Sequence, residues 1–156
     1  MTEDRDEICQ LMDKLLIRSL ELVQEEVKLK TYIESTTNDG QLSLAQTRFY
    51  KGPTSVSAVQ LPTEDSKEMN PLSALEETID DVGNPQVQLV KYPVDKEAGY
   101  PDPIKWFGVL VPASLQKART TFGKALDYVV DCANVQMELR NVLLAYDQLK
   151  ERKINL

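Results

Sequence analysis

Histidine is absent from this chain of 156 residues, and cysteine occurs only at Cys9 and Cys132. Histidine is the usual general acid or base near neutral pH and the commonest metal ligand, so its absence argues against both kinds of site. A phosphate-binding loop is also missing, because Gly52-Pro53-Thr54-Ser55 lacks the Gly-Lys-Ser/Thr ending of a P-loop. We therefore predict a protein that is not an enzyme and that binds no metal and no cofactor.

Long hydrophobic runs are missing as well. No window approaches the ~20 apolar residues that span a bilayer, and the acidic N-terminus lacks the apolar core of a signal peptide. Membrane association is therefore expected only indirectly, through a partner. The two cysteines fall in separate helical patterns, and antiparallel pairing of these helices would hold them roughly 20 Å apart. We expect two reduced, partly buried thiols in the cytosol.

Basic residues are in the minority, with 18 Lys and Arg against 25 Asp and Glu and a net charge of -7. A protein that binds the phosphate backbone of a nucleic acid has the opposite bias, so nucleic acid is not an expected partner. The imbalance is uneven: residues 1–39 carry 10 acidic and 5 basic side chains, whereas residues 101–156 carry 6 and 8. This asymmetry predicts attraction between the two ends of the chain, or of the C-terminal part to an acidic partner.

A first long helix is predicted over residues 5–36. Its main apolar row repeats every seven residues, as in a coiled coil, and consists of Ile8, Leu15, Leu22 and Leu29. A weaker second row lies three places on, at Leu11 and Tyr32. Asn38-Asp39-Gly40 is expected to end this helix, because these residues tolerate the left-handed conformation that follows a helix.

A second long helix is predicted over about 112–153, after the strand-like apolar run Trp106–Pro112. Proline is tolerated in the first helical turn, where its missing N–H would have no partner. One apolar row contains Leu115, Phe122, Val129 and Leu143, and the other contains Ala118, Ala125, Cys132, Leu139 and Tyr146. Further apolar positions make the helix apolar over most of its girth, which exceeds one coiled-coil seam. We therefore expect another protein to cover the surface around 126–149.

The candidate partner-binding residues on this helix are Leu126, Val130, Val135, Leu139, Val142, Leu143, Tyr146 and Leu149. Trp106 and Phe107 join them as partner anchors, or else fill the end of a helical bundle. Arg48 joins them as a ligand for a carboxylate or a helix end, or else lies over neighbouring aromatic rings. A compact bundle that uses all of this surface itself is the alternative.

The middle of the chain is predicted to be mostly irregular. A short helix over Gln41–Lys51 is stopped by Gly52-Pro53, and residues 54–61 have weak strand character. Residues 62–103 hold six of the eight prolines and read as an acidic linker with a helical turn or two at 72–79 and a strand-like piece at 87–90. The predicted fold class is all-α: one domain over 1–156, an antiparallel coiled coil of two long helices (about 5–36 and 112–153) with a short middle helix and this linker.

Two sequence blocks resemble a known family. The first reads Gly40-Gln-Leu-Ser-Leu-Ala-Gln-Thr-Arg48-Phe-Tyr-Lys-Gly52-Pro-Thr-Ser-Val56. The second reads Asp102-Pro-Ile-Lys-Trp106-Phe-Gly-Val-Leu-Val-Pro112-Ala-Ser-Leu115-Gln-Lys-Ala118-Arg-Thr-Thr-Phe122. Both are similar to the soluble assembly factors of the vacuolar-type proton ATPase, and the order of heptad helix, first block, variable linker, second block and long helix also matches.

The resemblance implies a chaperone of pump assembly, and hence of vacuolar acidification, at the cytosolic face of the endoplasmic reticulum and on early secretory vesicles. It implies two kinds of partner: a membrane-anchored assembly factor and the membrane-sector subunits of the V-ATPase. The residues alone also allow a general coiled-coil module, such as a prefoldin-like holdase or a tethering-complex subunit. Prefoldin subunits place β-hairpins between two long helices, so strand structure in the middle segment would favour that alternative.

Overall fold

The computed structural model describes residues 2–155. Helix α1 (Thr2–Lys51) and helix α2 (Ala113–Ile154) flank two strands, β1 (Ser73–Ile79) and β2 (Pro85–Lys91), and short 3₁₀ turns lie at Ala58–Gln60 and Pro103–Phe107. The 50 residues of α1 give a rod of about 75 Å at about 1.5 Å per residue. The bounds of α2 agree with the helix predicted over 112–153.

The two long helices pack antiparallel along most of their length. Contacts between them run in opposite order along the two segments, and they join Thr47 to Ser114, Tyr32 to Tyr128, Glu26 to Gln136, and Arg18 to Glu138. The basic α2 and the acidic α1 therefore lie side by side, with an Arg18–Glu138 ion pair of 2.7 Å between them. We use the word seam for the residues that pack between the two helices.

The seam on α1 has two rows, each repeating every seven residues. Buried or half-buried positions of the first row are Ile8, Leu15, Leu22, Leu29, Thr36 and Ser43. Those of the second row are Met12, Ser19, Glu26, Ile33, Gly40 and Thr47. The prediction of the second row was wrong, because it lies four places after the first rather than three, and Leu11 and Tyr32 are 49% and 41% exposed.

Small hydroxyl residues fill part of this seam without leaving polar atoms unpaired. Ser19 Oγ donates to the Leu16 carbonyl at 2.7 Å, and Thr47 Oγ1 donates to the Ser43 carbonyl at 2.9 Å. Ser19 and Thr47 are 6% and 1% exposed. Burying a hydroxyl is tolerable when it finds such a partner, so these residues take core positions that hydropathy alone assigns to the surface.

Helix α1 continues through Asn38-Asp39-Gly40 to Lys51, so the predicted break and the separate helix over Gln41–Lys51 are both wrong. Gly40 lies in the seam, where a Cβ would stand 2.7 Å from Phe122 Cζ. The Phe122 ring packs directly against the backbone of Gly40, and this contact outweighs the local preference of Asn38-Asp39-Gly40 for a helix end. The helix stops at Gly52, which has φ 100° and donates its N–H to the Arg48 carbonyl at 2.9 Å.

A β-hairpin in the middle of the chain makes the all-α prediction wrong. Strands β1 and β2 pair antiparallel from Ser73↔Lys91 to Ile79↔Pro85, so the helical turns expected at 72–79 are a strand and residues 62–103 are not an irregular linker. The strand-like piece expected at 87–90 lies within β2. The turn is held by Asp80, whose Oδ1 accepts the N–H groups of Val82 and Asn84 at 2.9 and 2.7 Å.

Two connecting segments also differ from the predictions. Residues 54–61 contain the 3₁₀ turn at Ala58–Gln60 rather than a strand, because the side chains of Ser57 and Gln60 cap each other's backbone. The apolar run around Trp106 is a 3₁₀ turn that ends at Gly108, whose φ is 129°. Its buried residue is Ile104, which is 7% exposed.

The hairpin is docked on α2 by a side-chain amide. Asn134 donates to the Val87 carbonyl at 2.9 Å and accepts the Val87 N–H at 2.9 Å. Lys91 and Asp127 add an ion pair of 2.7 Å. Val130, one turn before Asn134, is buried at this junction.

We predict that Gly40→Ala lowers the free energy of unfolding by about 1–2 kcal/mol, because overpacking against Phe122 outweighs the gain in helix propensity. The matched control is Gly123→Ala, also within a helix, where an added Cβ meets nothing within 4 Å. That change should raise the free energy by about 0.5–1 kcal/mol. Urea unfolding followed by circular dichroism measures both, and equal stabilisation by the two substitutions would show that the seam is not tightly packed at Gly40.

We further predict that Asn134→Ala releases the hairpin from α2. The Val87 N–H and C=O lose their partner, which costs about 1–3 kcal/mol, and the Val87 amide should exchange its hydrogen at least about fivefold faster. Lys91→Met is the control, since its ion pair is exposed and worth about 0–1 kcal/mol. Unchanged amide protection in Asn134→Ala, measured by hydrogen exchange, would refute this docking.

Candidate functional site

Among the residues that the structure describes, no group of three or more His, Cys, Asp or Glu side chains could hold a metal ion. No helix within residues 2–155 is long and apolar enough to cross a membrane. Three places combine apolar side chains in a way that suits binding: one side of the helix pair, a cleft beside α2, and the end of the molecule where α1 ends and α2 begins.

The structure distributes the candidate residues of α2 among different environments. Val130 and Val135 are buried, at 9% and 8% exposure. Four more are half-buried and continue the seam beyond Cys132 at alternating spacings of three and four residues: Leu139, Val142, Tyr146 and Leu149. Only Leu126 and Leu143 stay exposed, at 47% and 45%. Much of the wide apolar surface of α2 is therefore used by α1 and the hairpin.

Cys132 lies in the α2 seam and Cys9 is half-buried on α1, and both thiols are free. Burial raises the pKa of the Cys132 thiol, and the nearby Glu26 carboxylate raises it further. A raised pKa leaves less thiolate at neutral pH, so Cys132 has the character of a core residue rather than a reactive one.

The most regular exposed apolar row lies on α1, where the prediction placed no site. Its members follow a 4-3-4 spacing and are Leu16, Leu20, Val23 and Val27, at 46%, 64%, 43% and 60% exposure. At about 100° per residue this row lies roughly 100° around α1 from the seam. The signal was present in the sequence, since Leu16 and Val23 widen the apolar stripe, but burial could not be assigned without the true second row.

A matching row on α2 borders the same side of the helix pair. Val129 and Leu143 are each 45% exposed, and Gln136 lies midway between them at the same seven-residue spacing. Gln136 donates to Glu26 Oε1 at 2.8 Å, so this row meets α1 at the edge of the seam. Bonds from Lys30 and then from Gln136 hold the pKa of Glu26 below its ordinary value. We call the surface formed by Leu16, Leu20, Val23, Val27, Val129 and Leu143 the lateral face.

The second apolar place is a cleft of about 600 Å³ beside the start of α2. It includes two of the candidate residues, Phe107 and Leu126, and its other walls come from Leu44, Val56, Leu72, Tyr92, Val94, Ile104 and Phe122. Trp106 points to a different hollow, with Leu61, Pro62 and Met69. Both Trp106 and Phe107 are half-buried, so each covers the chain's own apolar side chains while keeping part of its ring in reach of a partner.

The third apolar place is the end of the molecule, which we call the tip. It consists of Arg48, Phe49, Tyr50 and Lys51 at the end of α1, together with Lys105, Val109 and Leu110 before α2. Phe49 and Tyr50 pack edge to face with ring centroids 5.3 Å apart, yet they remain 82% and 75% exposed. Arg48, the remaining candidate residue, is exposed here.

The amino-acid sequence of this chain is similar to those of several known proteins. The chain is 27% identical over 146 residues to the human vacuolar ATPase assembly protein VMA22, and the match covers 80% of this chain and 81% of the human protein. It is 26% identical over 149 residues to the mouse protein of that name, with 82% and 83% covered, and 25% identical over 179 residues to the zebrafish one, with 84% of each covered. No family model matches the chain. These relatives confirm the resemblance carried by the two sequence blocks: over about four-fifths of its length the chain is similar to vacuolar ATPase assembly factors.

Proposed function

We propose that this protein is a non-enzymatic assembly factor for the vacuolar-type proton ATPase. The relatives that carry this function in their names match about four-fifths of the chain, so the match includes at least part of both long helices rather than one generic coiled-coil segment. The two blocks that resemble the family lie against each other in the fold, where Thr47 and Ser114 share a hydrogen bond of 2.7 Å. Family likeness and three-dimensional proximity therefore point to the same part of the molecule.

The proposal extends to the place and the partners of this function. A membrane-anchored assembly factor at the cytosolic face of the endoplasmic reticulum would hold the chain there, and the membrane-sector subunits of the pump would be the clients. Support for this finer proposal comes from the family resemblance. This finer proposal requires that the chain have a surface able to bind a helix of the partner.

The lateral face carries the structural part of the argument. The apolar row on α1 has the 3-4 spacing that a third helix needs in order to pack against it, and Val129 and Leu143 flank this row on α2 with Gln136 midway between them. Leu20 and Val27 are 64% and 60% exposed, although a solvated helix face is normally polar. We propose that an amphipathic helix of the membrane-anchored partner binds here, so that the binding surface lies on α1 as well as on the predicted Leu143.

A second candidate function, a prefoldin-like holdase, is favoured by one observation. The β-hairpin between the two long helices is the feature that prefoldin subunits share, and Leu75, Ile79 and Val82 are exposed on it. Against it, Val87 of β2 gives both its N–H and its C=O to Asn134, so this edge is not open at Val87 for pairing with another subunit. The names of the relatives also favour pump assembly.

We predict that Leu20→Asp with Val23→Asp, or Leu143→Asp alone, reduces recovery of the membrane-anchored partner at least about tenfold, because a charge buried against an apolar helix is strongly unfavourable. The measurement is affinity purification of the tagged chain from gently solubilised membranes, read by mass spectrometry. The wild-type chain should recover the partner and membrane-sector subunits of the pump without its catalytic sector.

Val82→Asp is the matched control, since Val82 is 85% exposed on the hairpin turn and lies outside the lateral face. Circular dichroism should give the same helix content for all variants, which separates lost binding from lost folding. Full recovery of the partner by both lateral-face variants would refute the surface. Recovery of unrelated cytosolic clients by the wild-type chain would refute the assembly function and favour the holdase.

A further inference from the structure

The charge of this acidic protein is separated in space. Residues 40–63 and 103–126 together carry six basic side chains and no acidic one, although the whole chain has a net charge of -7. The two segments form one end of the molecule, because Gly40 packs against Phe122 and Thr47 bonds to Ser114. One of the six, Arg119, is paired with Asp102 at 3.1 Å, and the tip itself holds three basic side chains and no acidic one.

The same end exposes large apolar side chains to an unusual degree. Val109 and Leu110 are 88% and 91% exposed, and Phe49 is 82% exposed. Scattered exposed apolar residues are ordinary, but a cluster rimmed by polar residues marks an interaction site. Neither the proposed helix-binding surface nor the cleft beside α2 includes any of these three side chains.

The shape of the tip distinguishes between kinds of partner. Phe49 lies in the last turn of α1, and Val109 and Leu110 follow the turn at Gly108, so these exposed side chains project into solvent from the two segments that end the molecule. A protein partner would need a preformed pocket for each projecting side chain, whereas a fluid lipid surface rearranges around them. Phe and Leu suit the apolar boundary, and Tyr50 suits the headgroup level, where amphipathic rings concentrate.

We propose that the tip binds an anionic lipid bilayer directly. Phe49, Val109 and Leu110 enter the boundary between headgroups and acyl chains, and Arg48, Lys51 and Lys105 lie at the level of the lipid phosphates. Neither part suffices alone, because a few exposed apolar residues or three basic ones bind a membrane only weakly. This contact is independent of the pump and its assembly partners, and it differs from the sequence-based expectation that the chain meets membranes only through a partner.

The test is flotation of the purified full-length chain with vesicles of phosphatidylcholine alone or with about a quarter phosphatidylserine. The wild-type chain should bind only the anionic vesicles, and added salt should weaken the binding. Arg48→Ala with Lys51→Ala should reduce the partition coefficient about 25-fold, since each basic side chain contributes about fivefold at such a surface. Val109→Asp with Leu110→Asp should abolish detectable flotation.

Matched controls keep the result specific to the tip. Ile79→Asp with Val82→Asp removes similarly exposed apolar residues from the hairpin, and Lys150→Ala with Arg152→Ala removes exposed charges from the other end of α2. Both controls should float like the wild type. Equal binding to both kinds of vesicle, or equal loss in the controls, would overturn the proposal. Binding that survives Val109→Asp with Leu110→Asp would overturn it too, because charge alone, which an acidic protein could also satisfy, would then explain it.

Discussion

The antiparallel seam between α1 and α2 is the contact on which the other features of this structure depend. It changes character along its length, from Ile8, Leu15 and Leu22 at one end to Gly40 and Thr47 at the other. Large apolar residues supply burial in the first part. Small residues in the second part leave room for the Phe122 ring on the backbone of Gly40. That part relies on covering segments from the middle of the chain, and so the cleft, the 3₁₀ turn at Pro103–Phe107 and the tip all collect there.

Polar atoms within the seam restrict the register of the two helices. Two pairs join the helices: Thr47 and Ser114 share a hydrogen bond of 2.7 Å, and Gln136 donates a hydrogen bond to Glu26 at the edge of the seam. Within α1, Lys30 forms an ion pair with the same Glu26 carboxylate. A shift by one heptad would keep most apolar contacts but would separate both pairs, and single polar positions are known to select the register of coiled coils in this way. The register matters for function, because it sets the row of Val129 and Leu143 beside the α1 row of the lateral face.

Sequence reasoning succeeded where the signal was local and periodic. The row of Ile8 to Leu29 and the bounds of α2 followed directly from apolar spacing. The prediction of the second row failed because Ser19, Glu26 and Gly40 do not have the character of core residues. Ser19 is satisfied by a backbone carbonyl, Glu26 by the side chains of Lys30 and Gln136, and Gly40 packs against the distant Phe122 ring. The hairpin was not predicted for a similar reason. Its strands carry Glu and Gln at several positions, and it is held on α2 by Asn134, which follows Val87 by 47 residues. Val109 and Leu110 belong to the run predicted to be strand-like, but they follow the 3₁₀ turn that ends at Gly108 and are 88% and 91% exposed.

The two proposed surfaces lie far enough apart to be engaged at once, and their separation constrains the partner. Leu20 is 31 residues before the end of α1, so a chain bound to a bilayer through its tip would hold Leu20 at most about 46 Å from the membrane surface, and Val27 at most about 36 Å. Any tilt of the helix pair reduces both heights. A helix that reaches the lateral face from a membrane-anchored partner must then belong to the aqueous part of that partner, and its length must span this distance. The partner's membrane-spanning segments could not themselves bind this face while the tip rests on the bilayer with the helices upright.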